Sequence, residues 1–185
     1  MIVDFLIPFA WGFAEATFFF IVPDVWLSGV AALDKTKDLI KAITSAVLGA
    51  LLGGLCMYVA GRYYVLPTFA FWHVVPGIDV GQLNAACSDL SEKGLWAMTW
   101  GVFKGIPYKF YAAEWGLNHG GLLPFIAVSI IARTARFTVV SLIAKAFFTL
   151  VGKTSKLSDE GKIAVLAEIW LIIYVLYFNQ FGWTW

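Results

Sequence analysis

The chain has 185 residues, of which 61% are hydrophobic and only 14% are charged, and its formal net charge is +1. Ordinary soluble domains are about 45–50% apolar and about 25% charged. The composition therefore predicts a polytopic membrane protein with no room for a sizeable soluble domain. The nearly neutral balance indicates no nucleic-acid partner.

The first apolar stretch, residues 2–33, is too long and too often interrupted for one straight span. A spanning helix needs about 20 mainly apolar residues, whereas this stretch has 32. It is interrupted by Pro8, Gly12, Glu15, Pro23 and Asp24. We predict two half-length helices that enter and leave on one side, with breaks at Pro8 and Pro23. Such a re-entrant hairpin needs protein or water around its turn. A charged loop follows at 34–41.

Residues 42–66 have the features of a true transmembrane helix. Gly49, Gly53 and Gly61 fall on a four-residue period. Small residues at this spacing let neighbouring helix backbones approach closely. Residues 67–93 then mix aromatic residues, prolines and acids, which indicates an interfacial helix and loop rather than a span.

The second half of the chain repeats this arrangement. Residues 94–118 are apolar and aromatic but are interrupted by Lys104, Pro107, Lys109 and Glu114. They predict a second re-entrant hairpin, broken at Pro107. Transmembrane helices are expected at 122–151 and 163–183, separated by a polar stretch. The predicted fold class is an all-α polytopic membrane protein with one membrane domain over 1–185. It has two opposed re-entrant helical hairpins and about three transmembrane helices.

A short internal sequence similarity indicates a possible inverted repeat. Ile7-Pro8-Phe9 precedes Ala14-Glu15 at the same spacing at which Ile106-Pro107-Tyr108 precedes Ala113-Glu114. Broken hydrophobic segments at corresponding positions of two halves indicate a binding site at the midplane in transporters that are built from repeats.

The basic residues predict the orientation. If both broken segments are hairpins, the N-terminus and the polar stretches 34–41 and 152–162 share one side. Only Arg62 and Lys93 lie on the opposite side. The lysines on or near the first side are Lys35, Lys37, Lys41, Lys145, Lys153, Lys156 and Lys162. The positive-inside rule then places the N-terminus in the cytoplasm and the C-terminus outside.

Seven ionisable side chains lie within otherwise apolar stretches. They are Glu15, Asp24, Lys104, Lys109, Glu114, Arg133 and Arg136. One charge at mid-bilayer depth costs about 2.5–3.5 kcal/mol, so seven unpaired charges would cost roughly 20 kcal/mol. A typical domain has only about 5–15 kcal/mol of stability in total. These side chains must therefore pair with one another or line a wet cavity, and either arrangement indicates polar cargo within the membrane.

The order of these motifs resembles the DedA superfamily, also called the VTT or SNARE-associated domain, and most of all its short YqaA-type members. Glu15 and Pro23-Asp24 come first, and then GALLGGLCMYVAGR at 49–62. FKGIPYK at 103–109 and SIIARTARF at 129–137 follow. The resemblance implies two facing re-entrant hairpins in a membrane, such as the bacterial inner membrane. It also implies translocation of undecaprenyl phosphate or phospholipids, often linked to the proton gradient.

The family's functional residues carry over only in part. Glu15 matches the glutamate of the first hairpin, and Asp24 approximates the acid after the hairpin proline at a shorter spacing. Lys109 takes the place of the arginine that closes the family's RFxPGxR pattern. Phe103 stands where the first arginine of that pattern would be, with Lys104 one position away. Because lysine is a point charge and not a bidentate fork, this hairpin departs from the guanidinium clamp for phosphate that the family pattern implies.

The residues themselves also suggest roles. Arg133 and Arg136 are three apart, hence on one face of a helix. Together with Lys109 and Lys104 they are the predicted binding residues for a lipid phosphate. Glu15 and Asp24 are the predicted proton-coupling residues. Glu15 would load and release a proton in competition with its pairing to a basic residue.

Several alternatives stay open at this level. Glu15–Lys109 and Asp24–Arg133 can also be interpreted as buried structural pairs. Glu114 can be interpreted as a local partner of Lys109 or as a residue at the hairpin mouth. The chain is expected not to be an enzyme and to use no cofactor or metal. The expected partners are membrane lipids and protons, with assembly into a homo-oligomer as an open alternative. A membrane scaffold or a proton-linked ion transporter is the alternative function.

Overall fold

A computed structural model describes residues 2–72, 75, 77–101, 104–154 and 157–182. In this part of the chain every regular element is helical. The helices are α1 (Ile2–Glu15), α2 (Asp24–Ala32), α3 (Thr36–Tyr63), α4 (Val65–Trp72), α5 (Val80–Lys93), α6 (Ala97–Gly101), α7 (Tyr108–Leu117), α8 (Leu122–Thr154) and α9 (Asp159–Phe181). A 3-10 turn, Gly94–Trp96, joins α5 to α6.

Three of these helices, α3, α8 and α9, are long and apolar enough to cross a membrane. They correspond to the three transmembrane helices expected from the sequence, with different bounds. α3 begins at Thr36, so most of the predicted charged loop 34–41 is helical. Asp38 in its first turn favours this start, because acids stabilise the N-terminal end of a helix. The predicted end of the last span, Trp183, lies outside the described residues.

The first apolar stretch is indeed divided into two short helices. The indole Nε1 of Trp11 in α1 donates to the carbonyl oxygen of Ile21 in the break, at 2.8 Å. The rings of Trp11 and Trp26 lie 6.4 Å apart, centre to centre. At the other end, Asp4 of α1 and Leu33 after α2 line the same cavity. The chain therefore folds back between Glu15 and Asp24.

Of the two prolines expected to break this stretch, only one does so. Pro23 directly precedes α2. Pro8 lies inside α1, and the prediction of a break there was wrong. A proline removes a single helical hydrogen bond, and α1 stays continuous because it packs along α3 over most of its length.

The second apolar stretch is also divided. α6 ends at Gly101 and α7 begins at Tyr108, directly after the extended residue Pro107. Gly105 in this break has a φ of 74°, a conformation that favours glycine. The motif residue Phe103 lies outside the described part. Pro8 lies inside a helix, whereas Pro107 directly precedes one. The two prolines are not structurally equivalent, so their positions do not support the inverted repeat.

Helix α3 forms the centre of the fold and packs against α1 and α7. A methyl group at Gly49 would overlap the carbonyl of Phe9 in α1, and one at Gly61 would overlap the carbonyl of Ala113 in α7. The glycine period of the sequence thus serves close helix packing, as predicted. α8 and α9 cover the outer side of α2.

Polar contacts mark two ends of the bundle. At one end, Lys145 Nζ lies 2.7 Å from Asp34 Oδ1, which joins the loop after α2 to the later part of α8. At the other end, Tyr58 Oη donates to the carbonyl of Gly120 at 2.6 Å, which joins the later part of α3 to the start of α8. The two short breaks lie between these ends.

Candidate functional site

The first predicted acid forms a buried ion pair with α8. Glu15 is the last residue of α1, where the helix breaks, and Arg133 lies in α8. Arg133 Nη2 is 3.0 Å from Glu15 Oε2 and donates to Oε1 at 3.3 Å. The two residues are only 5% and 2% exposed. Each residue therefore supplies the counter-charge that the other needs in order to be buried.

The second predicted acid pairs one helical turn further along α8. Asp24 is the first residue of α2 and is fully buried. Its Oδ2 atom lies 2.7 Å from Arg136 Nη2. The two arginines share a helix face, as their spacing predicted, but their partners differ from the two pairs considered from the sequence. Glu15 pairs with Arg133 and not Lys109, while Asp24 pairs with Arg136.

Lys109 connects the two breaks in the chain. It is the second residue of α7, is 2% exposed, and its Nζ donates to the carbonyl oxygen of Phe19 at 3.0 Å. Phe19 lies in the first break, where a carbonyl has no helical partner. The ammonium of Lys109, in the second broken segment, thus provides a hydrogen bond to a backbone carbonyl of the first that has no helical partner.

A tyrosine that the sequence did not single out supports Arg133. The guanidinium carbon of Arg133 lies 4.0 Å from the centre of the Tyr108 ring, which is a cation–π contact. Tyr108 Oη in turn donates to Ser129 Oγ at 2.9 Å. The one signal in the sequence that could have identified Tyr108 is its position between Pro107 and Lys109, two residues that the sequence analysis did single out.

A cavity of about 200 Å³ opens beside these charges. Both breaks contribute to its walls, the first through Phe19, Phe20 and Val22 and the second through Gly105 to Pro107. Glu15, Lys109 and Arg136 provide its charged lining. A further wall is formed by α9, which contributes Trp170, Ile173, Tyr174 and Tyr177.

Helix α9 is tied to both breaks by hydrogen bonds that the sequence did not predict. Tyr174 Oη accepts from the backbone N–H of Val22 at 2.9 Å. Tyr177 Oη donates to the carbonyl of Gly77 at 2.8 Å and accepts from Gln82 Nε2 at 3.1 Å. The same Gln82 amide donates to the carbonyl of Gly105 at 2.9 Å. The sequence showed α9 only as a span with an aromatic end.

The charged cluster retains unused hydrogen-bonding capacity. With all five groups ionised, Lys109, Arg133 and Arg136 oppose two carboxylates, so three positive charges less two negative charges leave a net charge of +1. Within the described residues, the buried Nε and Nη1 of Arg133 and the Nε of Arg136 have no hydrogen-bond partner. Buried donors normally find a partner. The arrangement is thus suited to water or an anion.

Two of the seven ionisable residues lie away from this cluster. Lys104 Nζ is 2.7 Å from Asp89 Oδ1 in α5, with a half-exposed side chain. Burial opposes ionisation of Asp89, but hydrogen bonds from Lys104, Lys93 and Tyr111 outweigh it and lower the pKa of this carboxyl. Glu114 Oε1 accepts from the side-chain amide of Asn118 at 2.9 Å. The structure therefore brings together five of the seven residues.

Among the described residues, no three His, Cys, Asp or Glu side chains are grouped so that they could hold a metal ion.

An uncharacterized protein of Haemophilus influenzae is 28% identical to the chain over 139 residues, which is 71% of this chain and 67% of that protein. No protein-family model matches the chain. No solved structure matches it. The similarity extends over most of the chain but assigns no activity, so function must be argued from the charged cluster.

Proposed function

We propose that the chain is a membrane lipid transporter or translocase similar to the DedA superfamily. Its cargo is a phosphate-bearing lipid, either undecaprenyl phosphate or a phospholipid, and protons are coupled to the movement. The observation that carries the proposal is the cavity where the two breaks meet. Two buried cations, one partly buried cation and two buried carboxylates adjoin it, and polar groups at such depth in a membrane protein are expensive and usually functional.

The phosphate is attracted by the excess positive charge of the cluster. Lys109 and Arg136 line the cavity directly. Arg133 is paired with Glu15, so its guanidinium becomes available only when Glu15 is neutralised by a proton. Proton binding by Glu15 therefore strengthens anion binding, and proton release restores the Glu15–Arg133 pair and weakens it. Asp24 acts on Arg136 in the same manner.

The apolar part of the cargo stays in lipid while its head group occupies the cavity. In this proposal α1–α2 and α6–α7 are re-entrant hairpins that enter from opposite faces, and α3, α8 and α9 cross the membrane. The N-terminus and the Lys145 end face the cytoplasm, and the C-terminus lies outside, as the excess of lysines favours. The membrane is the bacterial inner membrane.

Reconstitution into liposomes tests the function. Purified protein is combined with fluorescent phospholipid and polyprenyl-phosphate probes, and flipping is measured with and without a pH gradient. Lipid movement that responds to the gradient is expected for the native chain. Glu15→Gln should move lipid without this response, whereas Glu114→Gln, a matched change outside the cluster, should behave as the native chain does.

The same assay separates the alternatives. Movement of no probe at any pH would overturn lipid transport. Proton flux without lipid movement would then favour a proton-linked ion transporter. If Glu15→Gln responded as the native chain does at every pH, the proton-coupling role of Glu15 would be overturned. Lipid transport itself would stand.

A further inference from the structure

Tyr108, the first residue of α7, lies along one face of α8 and contacts three side chains of that face. Its ring stacks on the ring of Phe125, with 6.3 Å between centres and 16° between planes. Its Oη donates to Ser129 Oγ at 2.9 Å, and the guanidinium carbon of Arg133 lies 4.0 Å from its ring centre. Phe125, Ser129 and Arg133 are spaced four residues apart, which places them on the same side of the helix. The ring therefore lies against the helix face that carries Arg133.

The position of this ring is fixed from several sides. Tyr108 is 2% exposed and Ser129 is 1% exposed. Ser129 Oγ donates its own proton to Met98 Sδ at 3.7 Å, so its oxygen is free to accept from the tyrosine. On the side of α3, a methyl group at Gly54 would overlap the Tyr108 ring. The contacts that hold the ring thus come from uncharged groups, apart from the guanidinium itself.

Arg133 is consequently held by two different kinds of contact. The carboxylate of Glu15, 3.0 Å from Arg133 Nη2, holds the guanidinium only while it is ionised. The faces of two rings, Tyr108 at 4.0 Å and Phe137 at 5.8 Å from the guanidinium carbon, attract the cation whether or not Glu15 carries a proton. Within the described residues, the Nε and Nη1 atoms of Arg133 have no hydrogen-bond partner. When Glu15 is neutral, the nearer ring is therefore the main contact that keeps this guanidinium in place.

The other ionisable groups around this ion pair have partners of their own. Asp24, from α2, is paired with Arg136. Lys109, from α7, donates to a backbone carbonyl of the first break. The hydroxyl groups of Tyr174 and Tyr177, from α9, are bonded to backbone groups of other segments. Within the part of the chain that the structure describes, a proton on the glutamate therefore removes the carboxylate charge that is bonded to the guanidinium, and no other acid is bonded in its place.

We propose that Tyr108 is a positioning residue, which keeps the guanidinium of Arg133 beside the cavity of the charged cluster when Glu15 is protonated. The positive charge is then already in place when the phosphate of the cargo enters. Without the ring, the released guanidinium turns towards water, and the anion must bring it back at a cost in affinity. Preorganised groups bind more tightly because they avoid this cost. Tyr108 itself is not among the described residues that line the cavity. The inference rests on the proposed function and deepens it.

Binding of a short-chain phosphate lipid to the full chain in detergent tests this inference. Isothermal titration with dihexanoyl phosphatidic acid measures the affinity of the native chain and of Glu15→Gln, in which Arg133 has lost its carboxylate. In the Glu15→Gln protein, adding Tyr108→Leu should weaken binding by about tenfold, which is about 1.4 kcal/mol and lies within the range of a cation–π contact. With the native Glu15, the same leucine should have clearly less effect, because the carboxylate still holds the guanidinium.

Three further variants separate positioning from packing. Tyr108→Phe keeps the ring face and should bind as the protein with the native tyrosine does, in both backgrounds. Tyr108→Met fills more of the space of the ring than leucine but offers no ring face, so it should repeat the leucine result and replaces that variant if it does not fold. Tyr111→Leu is the matched control, because Tyr111 is also a buried tyrosine of α7 but bonds to Asp89. It should leave the affinity unchanged in both backgrounds.

The outcomes that would overturn the inference are distinct from failure of the proposed function. Equal losses from Tyr108→Leu with and without Glu15→Gln would show that the tyrosine acts only through packing. Full affinity in the double variant would show that Arg133 needs no ring to stay in place. A loss in Tyr108→Phe as large as that in Tyr108→Leu would exclude the ring face as the cause. Absence of binding to both the native chain and Glu15→Gln would overturn the proposed phosphate site, and this inference with it.

Discussion

Arg133 Nη2 lies 3.0 Å from Glu15 Oε2, although 118 residues separate these two side chains in the sequence. The pair fixes the broken end of α1 against the middle of α8. It also neutralises two charges that would otherwise be buried alone. In the proposed function, this pairing is what lets Glu15 control the availability of Arg133.

The stability of the chain should depend on this pair in a non-additive manner. Glu15→Gln leaves the Arg133 charge buried without a counter-charge and should destabilise the fold by about 3–5 kcal/mol. Arg133→Gln should cost a similar amount, but the double variant should cost clearly less than the sum of the two. Chemical unfolding in detergent measures the four proteins of this cycle. Additive losses would show that the two residues act independently.

Lys109 and Lys104 should differ sharply in their effect on lipid movement, although the sequence assigns both to phosphate binding. Lys109 is buried beside the cavity of the charged cluster, whereas Lys104 pairs with Asp89 at a half-exposed position. Lys109→Met should abolish movement of phosphate-bearing probes in liposomes, and Lys104→Met should retain most of it. Equal losses in both variants would contradict this division of roles.

Tyr174 should anchor α9 through its hydroxyl group. Tyr174→Phe removes the acceptor of the Val22 N–H and leaves that donor partly buried and unpaired. Such a loss costs about 1–3 kcal/mol, and it should lower the unfolding temperature in detergent. Tyr64→Phe is the control, because Tyr64 is 62% exposed. An unchanged unfolding temperature in Tyr174→Phe would mean that α9 is held by packing alone.

Much of the helix framework could be predicted from the sequence. Hydrophobic length indicated α3, α8 and α9, and Pro23 and Pro107 indicated where the short helices begin. The break predicted at Pro8 was wrong, because a proline removes one hydrogen bond but does not determine whether neighbouring helices hold the segment together. The continuity of α1 depends on its packing along α3, which no local pattern reveals.

The charged cluster could be predicted in most of its members but not in its pairing, because Lys104 and Glu114 lie outside it. The three-residue spacing places Arg133 and Arg136 on one face, yet helix periodicity does not say which acid faces each arginine. Tyr174 was missed for a related reason, because its hydrogen bond reaches backbone 152 residues away. Backbone groups freed by a break have no sequence signature, so neither do the side chains that satisfy them.

Asp89 should stabilise the fold in a manner that depends on pH. Its pKa is lowered in the folded chain from the ordinary value of 3.8, so its stabilisation is complete above that value and is lost as the pH falls through the lower, folded pKa. Asp89→Asn should therefore cost about 1–2 kcal/mol of stability at pH 7, seen as a lower unfolding temperature. The cost should become progressively smaller as the pH falls below 3.8. A difference independent of pH would rule out the carboxylate as its source.

The two glycines Gly49 and Gly29 should respond in opposite ways to the same substitution. A methyl group at Gly49 overlaps the Phe9 carbonyl, so α1 must move away from α3. Such overpacking costs about 1–3 kcal/mol. At Gly29 the nearest atom lies 3.7 Å away, and alanine favours a helix over glycine by about 1 kcal/mol. Thermal unfolding in detergent should therefore occur earlier in Gly49→Ala and no earlier in Gly29→Ala than in the native chain. Native stability in Gly49→Ala would show that α1 and α3 do not approach as closely as the helix packing requires.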